Sequence, residues 1–215
     1  MEQTLLVGGD PDGTAEPLLA ALAGALRRHG RRLVAVDLPA QGASDGVTTS
    51  IPASARALLA LQREVGAFDA VVAHSVGAAV AVEAMAHGLV VGRAVLIAAP
   101  AHYRDYAVAF GAATGLDAAA TGQMLAELAR RGVDAAAVSL PARAARLRQP
   151  ALFVHSDDDR VVPLRDALDG QRAWRGARLL RVEGLGHRRL LSAPVVIDAV
   201  LDFVVEDALA ETEES

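Results

Sequence analysis

Cysteine is absent from this 215-residue chain. That excludes a disulfide framework, a cysteine nucleophile and a thiolate metal site. Aromatic residues make up only 3% of the chain, with a single tryptophan. This residue, Trp174, falls near the end of a predicted helix and reads as packing rather than as part of a site. There is no excess of positive charge: the net charge of -5 gives no electrostatic basis for nucleic-acid binding. No apolar run approaches the length of a membrane span. The start, Met1-Glu2-Gln3-Thr4, has no basic region, and Leu5-Leu6-Val7 is too short for a signal core, so a soluble cytoplasmic protein is expected. No H-x-x-E-H or comparable cluster of ligands occurs, and no metal or other cofactor is expected. The loop Gly8-Gly9-Asp10-Pro11-Asp12-Gly13 lacks both G-x-G-x-x-G spacing and the lysine of a phosphate-binding loop.

What remains is ordinary globular chemistry, 53% hydrophobic and 22% charged, at a length that suits one α/β domain. Short aliphatic runs alternate with alanine-rich stretches, the pattern of parallel strands joined by helices. Strands are predicted near 4-8, 32-37, 69-74, 93-98, 151-156 and 177-183, with helices near 14-29, 52-65, 76-87, 164-174 and 194-209. Strands so uniformly apolar are buried on both faces. The stretch 101-149 interrupts the alternation, and within it Leu116 to Arg131 reads as an amphipathic helix with Met124, Leu125 and Leu128 on one face.

The chemistry centres on Ala73-His74-Ser75-Val76-Gly77. An apolar strand, Asp69-Ala70-Val71-Val72, runs into it and a second apolar run, Ala78-Ala79-Val80-Ala81-Val82, leaves it. Serine at the apex of a sharp strand-to-helix turn, flanked two residues away by Ala73 and Gly77, matches a nucleophile elbow. Downstream, Ala151-Leu152-Phe153-Val154-His155-Ser156 leads into Asp157-Asp158-Asp159-Arg160-Val161-Val162-Pro163, and Ala177 to Glu183 ends in Gly184-Leu185-Gly186-His187. Serine, acid and histidine, each just past a strand end, follow the chain order of α/β-hydrolases.

Along nearly its whole length the chain resembles that family, and Asp37-Leu38-Pro39-Ala40-Gln41-Gly42-Ala43-Ser44 strengthens the likeness. The resemblance implies a three-layer α/β sandwich over 1-215, with 101-149 as a small helical lid. Typical members carry an antiparallel hairpin before the first strand seen here. Without it, six parallel strands are expected, in the order second, first, third, fourth, fifth, sixth. The second strand is then an exposed edge that a second copy of the chain could cover.

The resemblance assigns Ser75 as nucleophile, His187 as base and Asp159 as the orienting acid. Asp159 is favoured over Asp157 and Asp158 because the family's acid stands four residues before the proline; its neighbours read as turn formers. Of six histidines, only His187 sits on a glycine-bracketed loop after the last strand. His29 and His87 read as helix-end residues, His74 as packing beside the elbow, and His155 as a strand-end residue. The amides of Val76 and Asp10 are the implied oxyanion donors. Gly9, His74, His102, Tyr103 and Met124 are candidates for the substrate pocket.

The expected activity is cleavage of small-molecule carboxylic esters with short or medium acyl chains, through an acyl-enzyme. Two carboxylates, Asp10 and Asp12, lie in the oxyanion loop and oppose a developing negative charge. They motivate the alternative of a weakly active or non-catalytic ligand-binding protein on the same fold.

Overall fold

A computed structural model describes residues 2–8, 16–46 and 49–206. Six strands form one sheet: β1 (Gln3–Val7), β2 (Arg32–Val36), β3 (Phe68–His74), β4 (Val91–Ile97), β5 (Ala151–Ser156) and β6 (Arg178–Val182). Their order is β2-β1-β3-β4-β5-β6, and every neighbouring pair is parallel. This is the sheet the sequence implied. Among the described residues eight α-helices connect or follow the strands: α1 (Glu16–Arg28), α2 (Ile51–Val65), α3 (Val76–Ala86), α4 (Tyr103–Ala113), α5 (Ala118–Arg130), α6 (Leu140–Ala144), α7 (Leu164–Ala173) and α8 (Pro194–Leu201).

Strand side chains alternate between faces, and the two faces feed two separate cores. Leu5 and Val7 of β1, Val71 and Ala73 of β3, Leu96 of β4 and Phe153 of β5 pack with α2, α3, α6 and Trp174. The intervening Leu6, Val72, Ile97 and Val154 pack on the other side with Leu22 and Leu26 of α1, Leu190 and Leu191, and Val196 and Val200 of α8. Helix α3 is buried around nearly its whole circumference. Its one carboxylate, Glu83, is therefore paired: Arg143 of α6 donates to it from Nε at 2.9 Å and from Nη2 at 3.3 Å. Trp174 is a core residue, edge-on to Phe153, and its indole N–H donates to the carbonyl of Gln149 at 2.9 Å.

Between β4 and β5 the chain makes a helical excursion whose two ends are tied together. His102 and Ser139 form an antiparallel bridge, the Tyr103 amide donates to Val138 at 3.2 Å, and the Leu140 amide donates to Ala101 at 2.8 Å. Helices α4 and α5 lie within the loop so closed. The helix expected from Leu116 starts at Ala118 because Asp117 caps it, its carboxylate accepting the Ala120 amide at 2.7 Å. Helix α6 instead joins the body, with Leu140 and Ala144 in the core.

The helix expected over 194–209 is α-helical as far as Leu201, residues 202–206 wind in wider π turns, and 207–209 lie outside the described residues. In this segment the Arg93 guanidinium donates to the Phe203 carbonyl at 2.8 Å and lies over the Phe203 ring. Pro163 immediately precedes α7 in extended conformation, where its fixed φ suits helix entry. No helix among the described residues is long and apolar enough to cross a membrane.

Candidate active site

Ser75 stands between β3 and α3 with φ 54° and ψ -130°, a conformation that L side chains rarely adopt. Sheet and helix together impose it: the Ser75 amide donates to Ile97 of β4 at 2.9 Å, and the Ala78 amide closes the first turn onto the Ser75 carbonyl at 2.9 Å. A serine at a helix N-terminus commonly caps it through its side chain. Ser75 makes no such bond. Its hydroxyl instead faces the His187 ring, with Oγ 3.0 Å from Nε2.

The opposite ring nitrogen fixes the tautomer. His187 Nδ1 lies 2.8 Å from Asp159 Oδ2, and an ionised carboxylate only accepts, so Nδ1 carries the proton and Nε2 presents a lone pair to the serine. Burial alone pushes the Asp159 carboxyl up. The hydrogen bonds from His187 and from the Val162 and Val161 amides, with the histidine's charge, outweigh burial and hold it below the usual carboxylate range. Its other oxygen, Oδ1, accepts the Val161 and Val162 amides at 2.8 and 2.9 Å. Asp159 therefore stays ionised where it can stabilise an imidazolium.

The segments that carry His187 and Asp159 are held by further neighbours. His74, immediately before the serine and almost fully buried, donates from Nε2 to the His187 backbone carbonyl at 3.0 Å. His155 donates from Nε2 to the Val162 carbonyl at 2.9 Å, and the same nitrogen stands 3.7 Å from Asp159 Oδ2. Ser156 Oγ accepts the amides of Leu185 and Gly186 at 3.2 and 3.1 Å, and Asp158 Oδ1 accepts the Gly186 amide at 3.0 Å. Gly184 and Gly186, at φ 74° and 59°, let the chain reverse after β6 to meet these acceptors.

The three consecutive aspartates thus divide the work. Asp159 faces His187 and Asp158 holds the histidine loop. Asp157 forms a two-point pair with Arg181 of β6, at 3.0 and 2.6 Å. Hydrogen bonding from Arg181 lowers the Asp157 carboxyl, and hydrogen bonding from Ser156 and then Gly186 lowers that of Asp158. Turn formation, the role expected of both, leaves out these ties between β5 and the segment after β6. The only sequence signal for them was their place beside residues already singled out.

A cavity of about 230 Å³ opens between the start of α3 and the excursion helices. Val76, the residue after Ser75, forms part of its wall, together with Ile51 of α2, Tyr103, Tyr106 and Phe110 of α4, and Met124 of α5. Two of the expected pocket residues, Tyr103 and Met124, are therefore here, and burial pushes the Tyr103 phenol up. His74 and His102 do not line this cavity: His74 donates to the His187 carbonyl, and the His102 backbone bridges to Ser139. Val76 opens α3, so its amide is one of the helix's initial donors without an intrahelical acceptor. Gly9 and Asp10, the expected pocket and second oxyanion residues, lie outside the described residues.

A parallel α/β sheet with a serine on a strained strand-to-helix turn and a histidine loop reaching back from beyond the last strand has the architecture of a hydrolase. The chain belongs to the alpha/beta hydrolase family, whose pattern it matches over residues 7–200. Solved structures agree in fold. The putative non-heme bromoperoxidase BpoC from Mycobacterium tuberculosis superposes with a TM-score of 0.74 at 21% identity, over 96% of this chain and 92% of that one. The meta-cleavage product hydrolase CumD from Pseudomonas fluorescens gives 0.74 at 17% identity, over 97% and 92%. Est1E from Butyrivibrio proteoclasticus, solved with ferulic acid bound, gives 0.73 at 16% identity, over 99% and 90%. No curated protein matches at the sequence level.

Proposed function

We propose that the protein is a serine hydrolase that cleaves carboxylic esters of short or medium acyl chains by way of an acyl-enzyme. One observation carries this reading: the unbroken chain from Ser75 Oγ through His187, at 3.0 Å, to Asp159, at 2.8 Å, on a serine that does not cap its helix. In the first half-reaction His187 Nε2 takes the hydroxyl proton as Ser75 Oγ bonds to the ester carbonyl carbon. The carbonyl oxygen becomes an oxyanion, for which the Val76 amide is one donor. Collapse breaks the bond to the alkoxy oxygen, which leaves as the alcohol with the proton from His187. Water, deprotonated by the same nitrogen, then attacks the acyl-enzyme and releases the acid.

The cavity beside Val76 supports acceptance of a modest apolar group. Its volume is below the ~300 Å³ at which sites for drug-sized ligands begin. The test is steady-state hydrolysis of p-nitrophenyl acetate, butyrate and octanoate by the parent and Ser75→Ala, with fluorophosphonate labelling of both. Turnover and labelling that vanish in the variant are the expected result. A parent that neither labels nor turns over would replace this reading with that of a binding protein.

A further inference from the structure

Aromatic side chains are scarce enough here that their placement can be followed completely. The chain has one tryptophan, two tyrosines and four phenylalanines. Trp174, Phe153, Phe68 and Phe203 are all buried in the two cores. The remaining three, Tyr103, Tyr106 and Phe110, all line the cavity beside Val76. They follow one another on α4 at the spacing that keeps side chains on one helix face. A stripe at that spacing usually serves core packing, but here it does not disappear into a core. Phe110 is 45% exposed, and the helix residues that do go under are Ala107 and Gly111.

We propose that this cavity receives an aryl ring of the ester, narrowing the substrate class to aryl-substituted carboxylic esters. The inference rests on the serine-hydrolase reading above. Size is compatible: a dry apolar cavity of roughly 150 Å³ accepts benzene, and the cavity's ~230 Å³ leaves room for a short linker toward the serine. Chemistry favours a ring over an alkyl chain of equal bulk. The quadrupoles of aromatic rings gain from edge-to-face or offset contact beyond what buried area supplies, and a saturated ring gains none of this.

The experiment compares rings that differ only in aromaticity. Ethyl 3-phenylpropanoate against ethyl 3-cyclohexylpropanoate places the ring on the acyl side; 2-phenylethyl acetate against 2-cyclohexylethyl acetate places it on the alcohol side. In at least one pair the phenyl ester should have kcat/KM about tenfold higher, the size of one such ring contact. Phe110→Leu and Tyr106→Leu should bring that ratio to parity. Equal rates in both pairs, with Ser75-dependent turnover intact, would overturn the aryl preference and leave the hydrolase reading standing. Calorimetry on Ser75→Ala with 3-phenylpropanoate and 3-cyclohexylpropanoate reads the ring preference without catalysis. If the parent shows no turnover and no labelling, the aryl-ester assignment falls with the hydrolase reading, and tighter phenylpropanoate binding then shows only that the cavity prefers a ring.

Discussion

The imidazole of His74 reaches across the end of the sheet to hold the backbone carbonyl of His187, at 3.0 Å. The two rings sit 4.9 Å apart, tilted by 45°. The residue before the proposed nucleophile thus anchors the loop that carries the proposed base. His74→Phe keeps the ring and removes the donor, leaving the His187 carbonyl without this partner. We expect kcat to fall about tenfold with KM little changed, as positioning of His187 loosens. Stability should drop by about 1 kcal/mol, the net value of one such bond. Steady-state kinetics and urea unfolding on the same preparation separate the two effects.

Ser156 does similar work from β5, accepting two amides of the histidine loop through one oxygen. Ser156→Ala leaves both donors without that acceptor in a part-buried position. We expect a loss of about 1–3 kcal/mol in stability. Backbone amides of Leu185 and Gly186 should also exchange faster with deuterium, measured by hydrogen-exchange mass spectrometry. Unchanged exchange at 185 and 186 would count against the clamp.

The sheet was legible because its signal is local. Six aliphatic runs at regular intervals left little freedom, and serine, acid and histidine each followed one of them. The supporting contacts were not legible because they join residues far apart in the chain. His74 meets residue 187, Ser156 meets 185 and 186, and Glu83 meets Arg143. No short-range pattern records such pairs. His74 read as packing because burial of a histidine beside an elbow says nothing about what its nitrogen touches. His102 read as a pocket residue because it follows Pro100 at the mouth of the sheet. It does not line the cavity beside Val76, and its backbone bridges to Ser139, more than thirty residues later. Arg93 likewise meets the Phe203 carbonyl across more than a hundred residues.

Asp159 couples activity to pH through its lowered carboxyl. With the folded value below the unfolded value of about 3.9, the unfolded state binds the proton first as pH falls. Its stabilising contribution is therefore fully present above that unfolded value and is lost as pH drops through the folded one. Asp159→Asn cannot ionise. The difference in melting temperature between parent and variant should be largest near neutrality and shrink below about pH 4. At neutral pH the amide also stops enforcing the Nδ1–H tautomer, and kcat should fall by about ten-thousandfold. A variant that keeps a tenth or more of parental kcat would move the orienting role away from Asp159.

Gly77 tests the geometry that lifts Ser75 clear of the sheet. A Cβ at this position would stand 2.6 Å from the Val7 carbonyl oxygen and 2.9 Å from that of Gly8. Both are backbone atoms at the end of β1, so neither can swing aside as a flexible side chain would. Relief requires α3 to back away from β1, or the end of β1 to shift. The first displaces Val76 and its amide from the serine; the second disturbs the loop opposite. Overpacking of this kind costs about 1–3 kcal/mol, less than the total stability of a typical domain. Gly77→Ala should therefore fold but melt several degrees lower, with kcat for p-nitrophenyl butyrate reduced at least tenfold. Gly122→Ala, on α5 with open space around its added methyl, is the matched control; it should raise the melting temperature by a few degrees through helix propensity and leave kcat nearly unchanged. Parental activity in Gly77→Ala would show that close contact between α3 and β1 is not what sets the serine in place.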